Sequence, residues 1–341
     1  MHHPGAFITG TGRVGSTLMS GIVRAHPEAL SLSEIFMSLA SQAFAYRSLS
    51  GPGFWRLLTQ PTAANKAVFT PQGLPGEYLF EPGPDSRFTQ ANAPPILRTL
   101  LPHISDEPEA LFFELEPVIR TRPRAGIGAH YRFLFDWLTR RHGKRLWIER
   151  TGGSLAYLAS IDRHFPGARF VHLVRDGRET AMSILNHPGM RLFAHMHRRL
   201  GRVGIDILRP PFLLASNLPA ALFDRHLGFL IPYRKNLAEP LSPAQAGAFW
   251  SAAILAGLES WNRIAPERRW EMRYEALVAR PRETLERFAQ FIDPGLADPA
   301  WLDEVSTRPQ ARPERWRELP RDERDALEAA CAPGLAALGY D

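Results

Sequence analysis

Eight residues near the start of the chain, Gly10-Thr-Gly-Arg-Val-Gly-Ser-Thr17, carry the strongest chemical signal in the sequence. Glycines allow a tight turn and a close approach of backbone N–H groups to an anion, and Ser16 and Thr17 add hydroxyl donors where a helical run begins. A second group is Arg175-Asp-Gly-Arg178, in which Arg175, at a strand end, offers a guanidinium fork suited to bidentate contact with a phosphate. Both groups also admit bland readings: a turn capped by Ser16, and a charged surface turn in which Asp176 and Arg178 are simply solvated. Glu34, beside Ser33, stands where it could cap a helix.

Three chemistries fit the glycine loop. Gly10, Gly12 and Gly15 match the dinucleotide fingerprint G-x-G-x-x-G, with Glu34 about 20 residues on as a ribose-binding acid. Gly10 and Gly15 also match the nucleotide-triphosphate P-loop, but Ser16 stands at its lysine position, which disfavours a kinase or GTPase. The third chemistry is a shorter phosphosulfate loop, in which the N–H groups of residues 12 to 17 grip a 5′-phosphosulfate. Arg13 then faces the bond being broken, a charge for which a dinucleotide loop has no use.

These residues need strands to aim them. Ala6 to Thr9 reads as a short buried strand before the loop, with a helical run after it and a second strand at Ala29 to Ser31 ending near Glu34. Residues 50 to 125 are rich in Pro and Gly and predict long loops with short helices. Helical spacing returns at Tyr131 to Arg141, followed by a strand at Arg145 to Glu149. A helix on Leu155, Leu158 and Ile161 stops near Pro166. Ala168 to Val174 is the clearest strand and runs into Arg175 and a helix starting near Glu179, repeating the strand–loop–helix order. Residues 190 to 243 read as loop-rich, with Pro210, Pro211 and a basic patch at Arg198, Arg199 and Arg202. Beyond them are expected a helix over Ala244 to Trp261, a strand at Trp270 to Tyr274, and helices at Pro281 to Ile292 and Asp322 to Leu338. Strands alternating with helices imply an α/β fold, P-loop-like and three-layered, whose central parallel sheet is flanked by helices. Its strands' C-terminal ends would bring Gly10 to Ser16, Arg150, Arg175 and Tyr274 to one rim.

Composition narrows the partners. The 341 residues suit one large domain with loop-rich substrate segments at about 50–125 and 190–243, and the 45% hydrophobic and 22% charged fractions are those of a folded globule. The formal charge of +6 comes almost wholly from arginine, since Lys66, Lys144 and Lys235 are the only lysines. Cys331 stands alone, which excludes an internal disulfide, argues against a cysteine-based metal site and fits a reducing compartment. The N-terminus lacks a signal-peptide pattern and no apolar run reaches the ~18 residues of a membrane span. A cytoplasmic location is therefore expected. His26 reads as a neutral group at a helix end, His172 as structural, and no histidine pair has metal-ligand spacing.

The segment RVGSTLMSGIVRAHPEALSLSE, from Arg13 to Glu34, resembles the 5′-phosphosulfate segment of the sulfotransferase superfamily, particularly tyrosylprotein sulfotransferases and their bacterial relatives. LWIERTGGSLAYLASIDRHFPGARFVHLVRDGRETAMSIL resembles that family's next block, including its 3′-phosphate segment, and MRYEALVARPRETLERFAQFI and RWREL resemble its C-terminal blocks. Residues 36 to 144 and 190 to 245 are largely unmatched.

The resemblance implies a sulfotransferase that moves a sulfuryl group from 3′-phosphoadenosine 5′-phosphosulfate (PAPS) to an acceptor hydroxyl, releasing PAP, without a metal. It implies that Gly12, Arg13, Val14, Gly15, Ser16 and Thr17 hold the 5′ end, Arg175 and Ser183 the 3′-phosphate, and that Tyr274 lies near the nucleotide. Glu34, 21 positions after Arg13, falls at the family's general base. Arg150 takes the place of a family lysine and Gly152 that of a proline, which keeps the positive charge at the leaving oxygen but not a transferable proton. Arg308, Arg312 and Arg315 are candidates to close over the 3′-phosphate. The acceptor is expected to be a small molecule, lipid, glycan or peptide, and a homodimer is among the expectations. Two rivals stand: an NAD(P)-dependent oxidoreductase using residues 10–15, and a basic nucleic-acid binder, which has no recognisable motif here.

Overall fold

The computed structural model describes residues 5–71, 73, 76–202, 204, 206–208, 235 and 238–340. Its strands are β1 (Ala6–Thr9), β2 (Ala29–Ser33), β3 (Ser48–Leu49), β4 (Ala125–Gly126), β5 (Leu146–Arg150), β6 (Arg169–Val174) and β7 (Arg269–Arg273). Five of them form a sheet in the order β2-β5-β1-β6-β7, and β3 and β4 form a small antiparallel ribbon. The pairs β1–β5, β1–β6 and β6–β7 are parallel, so the fold is α/β with a central parallel sheet.

β1, β2 and β5 are buried throughout and β6 in all but its first residue, because helices cover both faces of the sheet, whereas in the edge strand β7 only Met272 is buried. Side chains alternate across it. Ala6, Ile8, Leu146, Ile148, Val171, Leu173 and Met272 join one aliphatic core with the helices Ser16–Arg24, Pro281–Ile292 and Pro299–Val305. Their neighbours in sequence point the other way: Phe7 lies edge-on to Trp147 and Phe165, at centroid distances of 5.2 and 4.9 Å, and stacks on Phe170 at 5.5 Å. Burying one such ring contributes about 1.5–3 kcal/mol, and each well-placed ring pair adds about 0.5–1.5 kcal/mol. The helix Pro243–Trp261 covers this second face through Trp261 beside His172, and a Cβ on its Gly257 would meet Leu155, in the turn after β5, at 2.2 Å.

The chain divides into two compact units. One comprises residues up to Leu32, Phe135–Ser183 and Ser242 onwards, and the other Ser33–Leu134 and Ile184–Leu241. The first carries the sheet. The second is built on the rings of Phe36, Phe44, Phe54 and Tyr131, whose hydroxyl donates to the Ala43 carbonyl at 2.6 Å.

Two expectations change. Residues 50–125 hold more helix than expected, with Gly51–Thr59, Ala63–Val68, Pro95–Arg98, Leu100–Ile104 and Pro108–Arg120. Pro52, Pro95 and Pro108 each sit in a first helical turn, where a fixed φ and a missing N–H cost nothing, so they begin helices and do not break them. The second change is the helix Pro188–Gly201, which replaces the first part of the loop expected over 190–243. Most of the rest of that segment, including Pro210 and Pro211, lies outside the described residues. Smaller shifts occur at element ends: β2 extends to Ser33, β7 spans Arg269–Arg273, and Tyr274 begins the next helix.

Candidate functional site

The glycine loop leaves β1 through Gly10, where a Cβ would come within 2.9 Å of the Leu173 carbonyl oxygen, so only glycine lets this strand end pass β6. Gly12, Arg13 and Gly15 then adopt left-handed backbone, with φ of 81, 62 and 92°. Residues of opposite hand in succession, as in Arg13-Val14-Gly15, turn neighbouring N–H groups towards a common point, a concavity suited to an anion. For Arg13, which has a Cβ, the conformation costs about 1–3 kcal/mol, and such strain persists where the surroundings hold it. One visible restraint is the bond from Arg13 Nε to Ser183 Oγ at 3.2 Å. Val14 places its side chain in the aliphatic core and leaves only its backbone to the loop.

The helix Ser16–Arg24 starts from this loop without a side-chain cap and without an acidic residue in its first turn. Its N-terminal N–H groups and the positive end of its dipole are thus available to an anion, with the Ser16 and Thr17 hydroxyls beside them. Arg150, at the end of β5 and in register with Ile8 of β1, is 5% exposed and donates from Nε to Ser20 Oγ at 2.7 Å, on the inner side of this helix. The turn after β5 is laced to the end of β1 by Ser154 Oγ donating to Thr9 Oγ1 at 3.1 Å and by Leu155 N donating to the Gly10 carbonyl at 3.2 Å.

The second arm is built differently. From β6 the chain passes through Arg175 and Asp176 straight into the helix Gly177–Leu185. Asp176 caps that helix, accepting from the Arg178 N–H at 2.8 Å and from the Arg178 guanidinium on both oxygens. The pair is part-buried, and Arg178 also lies 4.4 Å from the centre of the Trp316 ring. The picture of a simply solvated Asp176 and Arg178 is therefore replaced by a helix cap. The guanidinium of Arg175 lies 4.7 Å from the centre of the Tyr274 ring, and that ring fills the space above Gly15, where a Cβ would be 2.5 Å away.

Arg13, Gly15, Arg175, Ser183 and Tyr274, from separate stretches of sequence, thus meet at the joined ends of β1, β6 and β7. Glu34 belongs to the second compact unit, where it is 3% exposed, has a φ of 59° and opens the helix Ile35–Leu39. One residue was missed by sequence reasoning. Glu179, 5% exposed, faces Arg175 Nη2 at 3.5 Å and Arg315 Nε at 3.7 Å, and accepts the Trp316 N–H at 3.1 Å. Its only signal was its place in the first turn of a helix, four residues after Arg175. Of the three C-terminal arginines, Arg315 thereby reaches the β6 arm, whereas Arg308 binds the Gly21 carbonyl at 2.7 Å and pairs with Glu304.

The histidines stay outside this cluster. His26 sits between the Leu296 carbonyl and the Glu28 N–H, and burial lowers its pKa. His172 in β6 is fully buried beside Trp261, neither ring nitrogen has a hydrogen-bond partner, and burial pulls its pKa down to about 3. Among the described residues no group of three or more His, Cys, Asp or Glu could hold a metal ion, and no helix is long and apolar enough to cross a membrane.

No family model matches the chain, and no curated protein matches it. Among solved structures, the sulfotransferase domain of an olefin synthase from Synechococcus is similar at 16% identity, over 98% of this chain and 94% of that one, with a TM-score of 0.46. The sulfotransferase domain of the curacin biosynthetic pathway is similar at 14% identity over 100% and 99% of the two chains, with a TM-score of 0.48. Sulfotransferase STF9 from Mycobacterium avium is similar at 16% identity over 100% and 78%, with a TM-score of 0.46.

Proposed function

We propose that the protein is a sulfotransferase that moves a sulfuryl group from PAPS to an acceptor hydroxyl. The observation that carries this reading is the meeting of two anion-seeking strand ends: Arg13 bonded to Ser183, and the Tyr274 ring in contact with both Gly15 and Arg175. A ligand with a phosphate-like group at each end of a nucleoside suits that pairing. A dinucleotide loop has no need of a left-handed arginine tied to the neighbouring arm.

In this reading the N–H groups of residues 12–17 and the hydroxyls of Ser16 and Thr17 hold the 5′-phosphosulfate, while Arg175 and Ser183 hold the 3′-phosphate. Tyr274 orients both arms. Glu34 takes the proton of the acceptor hydroxyl as its oxygen forms a bond to sulfur. The bond from sulfur to the bridging phosphate oxygen breaks in line, and Arg13 and Arg150 offset the charge left on that phosphate as PAP departs. Arg150 is permanently charged, so its part is electrostatic and not proton transfer. None of these steps calls on a metal. A cytoplasmic site of action and a hydroxyl-bearing small molecule, lipid, glycan or peptide as acceptor belong to the same proposal.

Titration calorimetry with PAP, NADH and a DNA duplex tests the choice directly. Binding of PAP in preference to the other two is expected. Preference for NADH would make the protein an oxidoreductase, and steeply salt-dependent DNA affinity would make it a nucleic-acid binder. Labelled PAPS offered with a panel of phenols and alcohols then tests the reaction; no transfer and no release of PAP would overturn it.

A further inference from the structure

We propose that a buried polar chain formed by Arg98, Asn65, Ser38 and Thr99 positions Glu34 for proton transfer, which makes Thr99 and Asn65 positioning residues; the proposal rests on Glu34 being the base. All five residues belong to the second compact unit, and none is more than 3% exposed.

The chain begins at the strained backbone of Glu34, with φ 59° and ψ 23°. Its carbonyl accepts two bonds from one residue: Ser38 N at 2.9 Å and Ser38 Oγ at 2.6 Å. Thr99 Oγ1 lies 2.6 Å from Ser38 Oγ. A serine hydroxyl has a single proton, which here goes to Glu34, so Thr99 must be the donor to Ser38. The Ser38 carbonyl accepts Asn65 Nδ2 at 2.7 Å. Asn65 is itself fixed by a reciprocal cap with Thr62, and its carbonyl accepts Arg98 Nη1 at 2.8 Å. Arg98 also donates to Phe69 O at 2.9 Å and to Ala93 O at 2.7 Å, so one guanidinium ties together three carbonyls.

Apolar packing already holds the short helix after Glu34, since Ile35, Phe36 and Leu39 are buried. What the polar chain adds is direction. Hydrogen bonds in a dry interior select one orientation where apolar contacts tolerate several, and each is costly to leave half-made. Two bonds to the Glu34 carbonyl fix the peptide plane that follows its Cα. They hold the residue in a backbone region that residues with a Cβ seldom occupy. A carboxylate that must meet a hydroxyl within hydrogen-bond reach gains most from such a fixed origin.

The test compares Thr99→Val, Thr99→Ser and Glu34→Gln in the full chain, using PAP calorimetry and turnover of labelled PAPS with whichever phenol or alcohol of the panel the wild type sulfates fastest. Thr99→Val is expected to lower kcat about 10- to 100-fold while the Kd for PAP stays within about twofold, and Thr99→Ser to recover most of kcat. Wild-type kcat in Thr99→Val, or equal losses in kcat and PAP binding that Thr99→Ser does not repair, would overturn the positioning role. Should Thr99→Val not fold, Ser38→Ala keeps the backbone bond to Glu34 and removes only the hydroxyl; the same split is expected, and wild-type kcat overturns the role. Turnover retained by Glu34→Gln would remove the base itself and this inference with it. An inactive Glu34→Gln beside a fully active Thr99→Val would remove this inference alone.

Discussion

The two arms that leave β1 and β6 share one plan, strand then turn then helix, yet present positive charge by different means. The β1 arm relies on backbone: three left-handed residues, an uncapped helix start and no acidic residue in the first turn. In the β6 arm the helix start is already occupied by the Asp176 carboxylate, and Glu179 sits in its first turn. Any anion there must be met by side chains, chiefly Arg175, which Glu179 and the Tyr274 ring hold in place. Backbone dipoles cannot rotate away or be titrated, which in the proposed function suits the 5′ end of PAPS, where a bond breaks. A guanidinium fork discriminates by shape, which in the same proposal suits the 3′-phosphate, which is only recognised.

Four measurements break or sharpen this contrast. The largest effect is expected beneath the β6 arm, at His172, whose ordinary pKa of about 6.5 in an unfolded chain falls to about 3 in the fold. The neutral ring is the folded form, so stability is fully present above about pH 6.5 and declines as the pH falls towards 3, by up to about 5 kcal/mol. Urea midpoints between pH 7 and pH 4 should show the decline, and His172→Phe should flatten it; an equal slope in both proteins would assign the acid sensitivity elsewhere. Next comes Gly15→Ala, which strains a left-handed position and drives a methyl into the Tyr274 ring, at about 3 kcal/mol. Because that ring touches both arms, affinity for PAP and for 5′-AMP should fall together, and a loss confined to one of them would uncouple the arms. Arg175→Ala should weaken PAP about 100-fold and leave 5′-AMP within about threefold; equal losses would show that Arg175 does not read the 3′-phosphate. Smallest is Ser183→Ala, expected to cost PAP about tenfold through a lost bond to a charged group and the release of Arg13. No change in PAP affinity would leave Ser183 as a support for Arg13 only.

Much of the strand-rich unit was legible because its signals are local. Ala6–Thr9, Leu146–Arg150 and Arg169–Val174 are short apolar runs bounded by glycine or charge, and a parallel sheet follows once helices alternate with them. The glycine loop and Arg175 announce themselves by residue type. The second unit was hard to read because Pro52, Pro95 and Pro108 resemble loop punctuation, and only the chain's path shows that they open helices. Glu179 was missed for a related reason. A glutamate on a helix is ordinary until Arg315, distant in sequence, arrives beside it.

The order of residues alone determined the alternation of strands and helices, the left-handed glycines of the loop and the supply of cations near it, because backbone sterics and side-chain chemistry act over a few neighbours. Tertiary structure decided which of these meet. Arg13 and Ser183 are 170 positions apart, and Ser38 and Thr99 are 61 apart, at contact distances of 3.2 and 2.6 Å. Pairings of that span are set by how sheet and helices bury their apolar faces, an outcome of the whole chain and not of any segment of it.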